Sequence, residues 1–489
     1  MVGNFLPSSS EYIRILPEIV LCVFGVLLMV LEAITSQRQK AMLGRISLVG
    51  IVIAFLADLY AYTNAGQAFQ NSITVDAYGT FFRALVLGIG ALCVLTSFGY
   101  LKREQAESGE YYSLILFSLV GQCILSTAND LFMLFLGLEI SSIATYVLAG
   151  YLRDDRRNNE SALKYFLLGS FATAFLLYGV AWTYGLTGST NLDEIHRVLS
   201  SHGQNTPPVL IGLACALIFV GLAFKVSAAP FQMWAPDVYQ GASSPVTAFM
   251  SAAPKAAAFA VFLRVFTTAF GTLSPRWVPL IWSISLLTMI IGNFAALTQS
   301  NVKRLLAYSS IAHAGYILVA FTADSQLGVA AVMFYLASYA LMNVGAFAVI
   351  SHVSSKHEQY VRIEDLSGLA KRRPAEAAML ALFVFSLIGV PLTGGFFAKF
   401  YVFRAALGSH LVWLTVLGLA NSAVAAFYYL KIIVAMYMHE PGESTENLTA
   451  PSPGTRVTIW ASALGTLVLG IFPSVLLPFV TYSASVLGR

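Results

Sequence analysis

The chain has 489 residues, 57% hydrophobic and only 11% charged, with a formal net charge of +4. Soluble domains carry about 25% charged residues, so a water-facing surface is excluded, and with it a nucleic-acid binder, a disordered scaffold and a secreted disulfide module. Cys22, Cys93, Cys123 and Cys215 all lie in apolar stretches with no CxxC pair, which leaves neither a disulfide frame nor a metal or iron–sulfur site. A mean hydropathy of +0.74 fits an all-α polytopic membrane protein.

Runs of about 20 mostly apolar residues cross about 30 Å of hydrocarbon as a helix. About fourteen such spans occur, at 13–34, 43–62, 77–101, 111–128, 130–152, 161–187, 208–228, 245–271, 277–298, 302–322, 328–353, 375–406, 410–437 and 456–484. No strand-like alternation is present, and only helices or closed barrels satisfy their backbone in lipid, so every span is expected to be helical. The first span is too long for a signal-peptide core and no small-residue cleavage pattern follows it.

The loops after spans 1, 3, 5, 9, 11 and 13 hold sixteen Lys and Arg, from Arg38 to Arg456. The opposite side holds four, Arg14, Arg197, Arg276 and Arg489. By the positive-inside rule the first set is cytoplasmic and both termini face outward. The 438–456 loop, with Glu440, Glu443 and Glu446, gives no positive signal.

The other eight basic residues lie within spans: Arg83, Lys164, Lys225, Lys255, Arg264, Lys399, Arg404 and Lys431. A lysine at mid-bilayer costs about 2.5–3.5 kcal/mol. Lys225, Lys255 and Lys399 are placed where that cost points to function. Lys164, nearer a span end, either snorkels to the interface or joins them. Glu139 is the buried acid, with only Asp130 as a charged neighbour in its span. Burial disfavours an ammonium and a nearby carboxylate favours it, so a row of lysines beside a movable Glu–Lys pair can pass protons. Arginine, always protonated, cannot.

Two spans are interrupted, span 7 by Pro230 and Pro236 and span 12 by Pro391, Gly394 and Gly395. Freed backbone groups must be satisfied by protein or a wet cavity, and each break lies near Lys225 or Lys399. Paired broken helices point to an internal repeat and an ion path; the bland alternative is two proline kinks. Spans 4–8 and 9–13 form the units, and an odd span number makes them inverted. The expected organisation is 1–105 for spans 1–3, 106–272 for the first repeat, 273–437 for the second, and 438–489 for a loop and the last span. His313, beside Ser309 and Ser310, either carries protons or packs as a hydrogen-bonded histidine. His202 and the remaining histidines lie in loops or at span ends. Arg83 and Arg264 read as anchors for loops or lipid, and Lys431 as an interface anchor or a relay member. Most aromatics are expected to face lipid or pack. No Walker A loop, GxGxxG or metal cluster exists, so the energy comes from an ion gradient or a partner.

The stretch FKVSAAPFQMWAPDVYQGASSPVTAFMSAAPKAAAF resembles the central signature of the subunit N family of bacterial NADH-quinone oxidoreductase (complex I), an antiporter-like membrane subunit. LGLEISSIATYVLAGY, ALKYFLLGS, NVKRLLAYSSIAHAGY and GVPLTGGFFAKFYVF are similar to that family as well, so the resemblance covers nearly the whole chain. It implies two half-channels joined by a hydrophilic axis. It also implies that Glu139 and Lys164 form an ion-pair switch, with Lys225 the central proton carrier, Lys255 the connector, Lys399 the terminal carrier and His313 a bridge. No cofactor is implied for this chain. NADH, FMN, iron–sulfur clusters and quinone belong to partner subunits, and the partners are other membrane-arm subunits and, indirectly, the peripheral arm. The implied location is the cell inner membrane. A cation/proton (Na⁺/H⁺) antiporter subunit is the alternative, although its ion sites favour carboxylates and this chain has few deep ones. A third possibility is a structural subunit with inert lysines.

Overall fold

The computed structural model describes residues 7–36, 39–201, 207–446 and 448–487, so Arg38, His202 and Arg489 lie outside the described residues. A helix stands at each of the fourteen expected positions. These are α1 Leu16–Ile34, α2 Ala41–Tyr62, α3 Ala77–Glu104, α4 Gly109–Thr127, α5 Leu131–Ala149, α6 Arg156–Thr187, α7 Pro208–Val226, α8 Ser244–Arg264, α9 Ser274–Leu297, α10 Val302–Thr322, α11 Gln326–Val353, α12 as Pro374–Ile388 and Gly394–Gly408, α13 Val412–Met438 and α14 Pro453–Ile471. Among the described residues, all but α4 and the two halves of α12 are long and apolar enough to cross a membrane on composition alone. The polar residues of α4 have protein partners instead of lipid. Ser113 donates to the Gly25 carbonyl of α1 at 3.0 Å, and Gln122 donates to Ser141 of α5 at 3.3 Å. A helix sheathed by neighbours needs no apolar coat.

Three features depart from the sequence reading. The 456–484 run is not one helix: α14 stops at Ile471, and a turn at Pro473–Val475 leads into a short helix Leu477–Val486. Proline supplies no N–H to continue the ladder. Between α2 and α3, outside the expected spans, lies a small antiparallel hairpin, β1 Gly66–Ala68 with β2 Ile73–Val75, in a fold expected to be all-α. Its tip is tied to the start of α5 through Asn129, which donates to the Asn71 side chain at 3.1 Å. Arg83 is not a loop or lipid anchor. It is wholly buried, paired with Glu18 of α1 at 2.6 Å and near Asp58 of α2 at 3.6 Å.

The centre of the bundle is α8, α10 and α11, whose spanning windows are 94%, 94% and 89% buried. These are the helices that carry Lys255, His313 and a run of tyrosines. Close helix approach through small residues, the means by which helices associate in lipid, recurs across the bundle, as between α4 and α5 and between α9 and α10. A Cβ on Gly121 of α4 would lie 2.4 Å from the Gly137 carbonyl of α5, and one on Gly292 of α9 would lie 2.5 Å from the Ala312 nitrogen of α10.

The loop after α11 locks one end of this core. Ser355, His357 and Glu358 all have positive φ, which turns the Glu358 carboxylate inward. It accepts from the Ser244 N–H at the start of α8 at 2.6 Å and pairs with Lys303 in the first turn of α10 at 2.5 Å. Lys303 also donates to the Ala242 carbonyl at 2.5 Å. Burial pushes the Glu358 carboxyl up, but Lys303 and Ser244 more than reverse this and hold it below the usual glutamate range. Its contribution is therefore full above the ordinary value of about 4.3 and fades as the pH falls through the lower folded value. Glu358→Ala leaves Lys303 buried without its counter-charge and is expected to cost about 3–5 kcal/mol. Thermal unfolding in detergent checks this, and Lys303→Met in the same chain should restore most of the loss.

Candidate proton-relay site

A helix break builds the Lys399 site. A helix leaves its last four carbonyls without intrahelical partners and carries partial negative charge at that end. In α12 the first half ends at Ile388, and Lys399, in the second half, reaches back to it. Its Nζ donates to the Leu387 carbonyl at 3.1 Å, the Ile388 carbonyl at 2.7 Å and Ser422 Oγ of α13 at 2.7 Å. Gly389 makes the reversal possible. Its φ is +97°, and a Cβ there would stand 3.1 Å from Lys399 Cδ. The Tyr316 ring lies 4.9 Å from the ammonium, within cation–π range.

Lys225 sits in the last turn of α7, just before Ser227 turns the chain with φ +61°. Its Nζ donates to Ser142 Oγ at 2.7 Å and Tyr146 OH at 3.2 Å, both on α5. Lys255 on α8 follows Pro254 inside the helix and donates to Ser310 of α10, at 3.0 Å to the carbonyl. It is 2% exposed and Lys399 7%, so both point into protein. All three deep lysines are thus answered by neutral hydroxyls and carbonyls.

His313 joins the second half of this set. Its Nδ1 meets Tyr335 OH at 2.6 Å and its Nε2 meets Tyr429 OH at 3.2 Å. Tyr429 OH also bonds Ser309, which adjoins the Ser310 that holds Lys255. The rings of His313 and Tyr316 are 5.8 Å apart. A neutral imidazole has one donor and one acceptor nitrogen, and tyrosine hydroxyls serve as either, so this chain can reverse its hydrogen-bond direction. Among the described residues, no direct side-chain bond spans the step from the Ser142 and Tyr146 partners of Lys225 to Ser310.

The Glu139–Lys164 pair is not formed. Lys164 Nζ instead pairs with Asp237 and Glu160, each at 2.7 Å, and is half-exposed. The helix register gives the reason. Gly150 lies against Ala162, and Tyr146 against Gly169, across α5 and α6. That places Glu139 level with Thr173, roughly 13 Å deeper than Lys164 at 1.5 Å per residue. One Glu139 carboxylate oxygen is buried without a hydrogen-bond partner, and Ser142, one turn on, holds Lys225. Lys225 therefore lies between the levels of Glu139 and Lys164.

The partners Ser142, Tyr146, Ser310, Tyr335, Tyr429 and Asp237 were not singled out as site residues from the sequence, apart from Ser310 as a neighbour of His313. The available signal was tyrosine where phenylalanine would serve, a hydroxyl placed in hydrocarbon at a cost. Asp237 is shared between Lys164 and Arg304, at 2.7 Å from each. Burial raises its carboxyl, and the two cations more than reverse that, leaving it below the ordinary aspartate range. Lys431 donates to the Leu297 carbonyl at the end of α9 at 3.0 Å, the behaviour of an anchor. Arg264 pairs with Asp76 at 3.0 Å, ahead of α3.

Residues 128–425 match the family model described as NADH:quinone oxidoreductase/Mrp antiporter, TM. A relative from Solibacter usitatus, NADH-quinone oxidoreductase subunit N 1, is 59% identical over 478 residues, covering 98% of both chains. Among solved structures, a chain of respiratory complex I from Thermus thermophilus with bound aureothin superposes with a TM-score of 0.80 at 35% identity, over 94% of this chain and 98% of that one. A chain of a Mrp complex from a Dietzia species has the same fold, with a TM-score of 0.86 at 20% identity over 97% of this chain and 98% of that one. On this evidence the chain belongs to the NADH:quinone oxidoreductase/Mrp antiporter transmembrane family, among the relatives of NADH-quinone oxidoreductase subunit N.

Proposed function

We propose that this chain moves protons as a membrane-arm subunit of an NADH:quinone oxidoreductase, through Lys225, Lys255 and Lys399. The observation that carries the reading is that these three ammonium groups, deep in the bundle, are met by neutral hydroxyls and carbonyls. Such partners can bond an ammonium as acceptors, and the hydroxyls can also donate to a free amine, so each lysine can gain and lose its proton in place. Glu139, one turn from Ser142, supplies the negative charge that acts on Lys225. Lys164 acts from the other flank. A proton on Lys225 passes to Lys255 and then through Ser310, Ser309, Tyr429 and His313 toward Lys399.

In this reading α4–α8 and α9–α13 are two inverted copies. The glycine-mediated contacts of α4 with α5 and of α9 with α10 support that, because they fall at matching positions. NADH oxidation and quinone reduction, with their FMN and iron–sulfur groups, take place in partner subunits. The neighbours in the membrane are other antiporter-like and small membrane-arm subunits. The chain lies in the cell inner membrane with both termini outside.

Lys225→Ala is expected to leave the complex assembled and to cut proton transport through this subunit to below about a tenth. Proton uptake per NADH in reconstituted liposomes measures it, and a wild-type proton-to-electron ratio would refute the relay. Tyr429→Phe removes the hydroxyl between Ser309 and His313. It should lower that ratio too, with a stability loss of about 1–3 kcal/mol from the stranded partners; an unaltered ratio would remove Tyr429 from the path.

A further inference from the structure

Asp237 belongs to the short helix Trp234–Gly241 between α7 and α8. Its two oxygens are divided between helices far apart in sequence. Oδ2 accepts from Lys164 of α6 and Oδ1 from Arg304 of α10. Arg304 also holds Gln240 at 2.9 Å. The group lines a cavity of about 200 Å³ together with Glu160 and Arg157.

One turn earlier on the same short helix stands Trp234. Its ring stacks on Tyr165 at 4.6 Å with an interplanar angle of 8°, and on Phe224 at 5.4 Å and 30°. Its Nε1–H donates to the Phe224 carbonyl at 2.9 Å. Tyr165 follows Lys164 in sequence, and Phe224 precedes Lys225. The Lys225 ammonium lies 5.8 Å from the Tyr165 ring and 5.6 Å from the Phe224 ring. A single rigid turn of helix therefore connects the ion pair at Lys164 to the backbone that carries Lys225.

We propose that Asp237 is a positioning residue of the relay: its ionic grip on Lys164 sets the short helix Trp234–Gly241, and Trp234 carries that setting to Phe224 and the Lys225 ammonium. The proposal rests on Lys225 being a proton carrier. Lys164 acts through Asp237 and has no need to touch Glu139, which lies too deep for it. When Lys164 lets go, Asp237 keeps only Arg304, and the short helix loses its ionic tie to α6 while Asn158 and Ser161 still hold its Gly241 and Val238 carbonyls. Because the link is ionic and opens on a cavity, it responds to charge arriving near Glu160 and Lys164, which a purely apolar contact would not.

The test uses the whole complex in liposomes, with protons moved per NADH oxidised as the readout and NADH oxidation as the measure of assembly. Asp237→Asn should lower the proton-to-electron ratio at least threefold, and Asp237→Glu should regain most of it, because a carboxylate that still reaches Lys164 is sufficient. Asp237→Asn with Lys164→Gln should be no worse than the worse single change, since groups acting as one unit are not additive. A wild-type ratio in Asp237→Asn, multiplying losses in the double variant, or a Glu variant as damaged as the Asn variant would each overturn the proposal. If Asp237→Asn does not assemble, Trp234→Phe carries the test: it keeps an aromatic ring and removes the bond to Phe224, and a wild-type ratio there overturns the proposal while a lowered one supports it. Lys225→Ala run in parallel separates the two readings. Normal pumping in that variant fells the relay itself, whereas its loss beside an indifferent Asp237 fells only the lever.

Discussion

An ammonium group cannot be left bare in hydrocarbon, and that constraint determines how this bundle is put together. Each deep lysine needs acceptors, which come from carbonyls freed at helix ends or from side-chain hydroxyls. Lys399 is bonded to the carbonyls that the break in α12 sets free, whereas Lys225, in the last turn of α7, is bonded to the Ser142 and Tyr146 hydroxyls of α5. Lys255 has no such end within reach and instead takes a serine and its carbonyl from α10, beside a proline that already disrupts α8. At Lys399 the lysine and the break are one device. The helices carrying Lys255 and its partner are also the most enclosed, because protein must surround whatever lipid cannot solvate.

The lysines fall into two chemical groups. Lys225, Lys255 and Lys399 bond only neutral oxygens, whereas Lys164 and Lys303 are paired with carboxylates. A carboxylate fixes a lysine in its charged form, while hydroxyls and carbonyls leave both forms bonded. The first group is suited to exchanging protons and the second to holding helices together. Lys164 and Lys303 both act on the junction between α7 and α8. Lys164 and Arg304 grip Asp237, and Lys303 grips Ala242 and, through Glu358, the start of α8.

The spans, the breaks and the deep lysines were legible in the sequence because each is a local event: an apolar run, a proline or glycine inside one, a charge where none belongs. The family resemblance was legible for the same reason, since its motifs are these violations strung together. The partners were not legible. A serine or tyrosine in a span carries no mark of which helix it faces, and that depends on register between helices. Glu139 and Lys164 show the limit clearly. Their residue types suit a pair, but the α5–α6 register set by Gly150 and Gly169 holds them apart. The partners of the polar residues of α4 and the hairpin before α3 were hidden likewise, since each depends on what other elements supply.

In the proposed relay, the order of charges along α5 and α6 constrains how Lys225 is controlled. A carboxylate lies on the deep side of it at Glu139 and an ammonium on the open side at Lys164, about equally removed in helix register. Attraction from one flank and repulsion from the other act on the same proton and in the same direction along the helix axis. A change in either group therefore alters Lys225 without requiring the two to meet. Pairing Lys164 with Asp237 offsets its positive charge and leaves Glu139 the dominant charge near Lys225. On this geometry the proposed switch requires no large helix displacement, only a change of partner at Lys164, which is half-exposed.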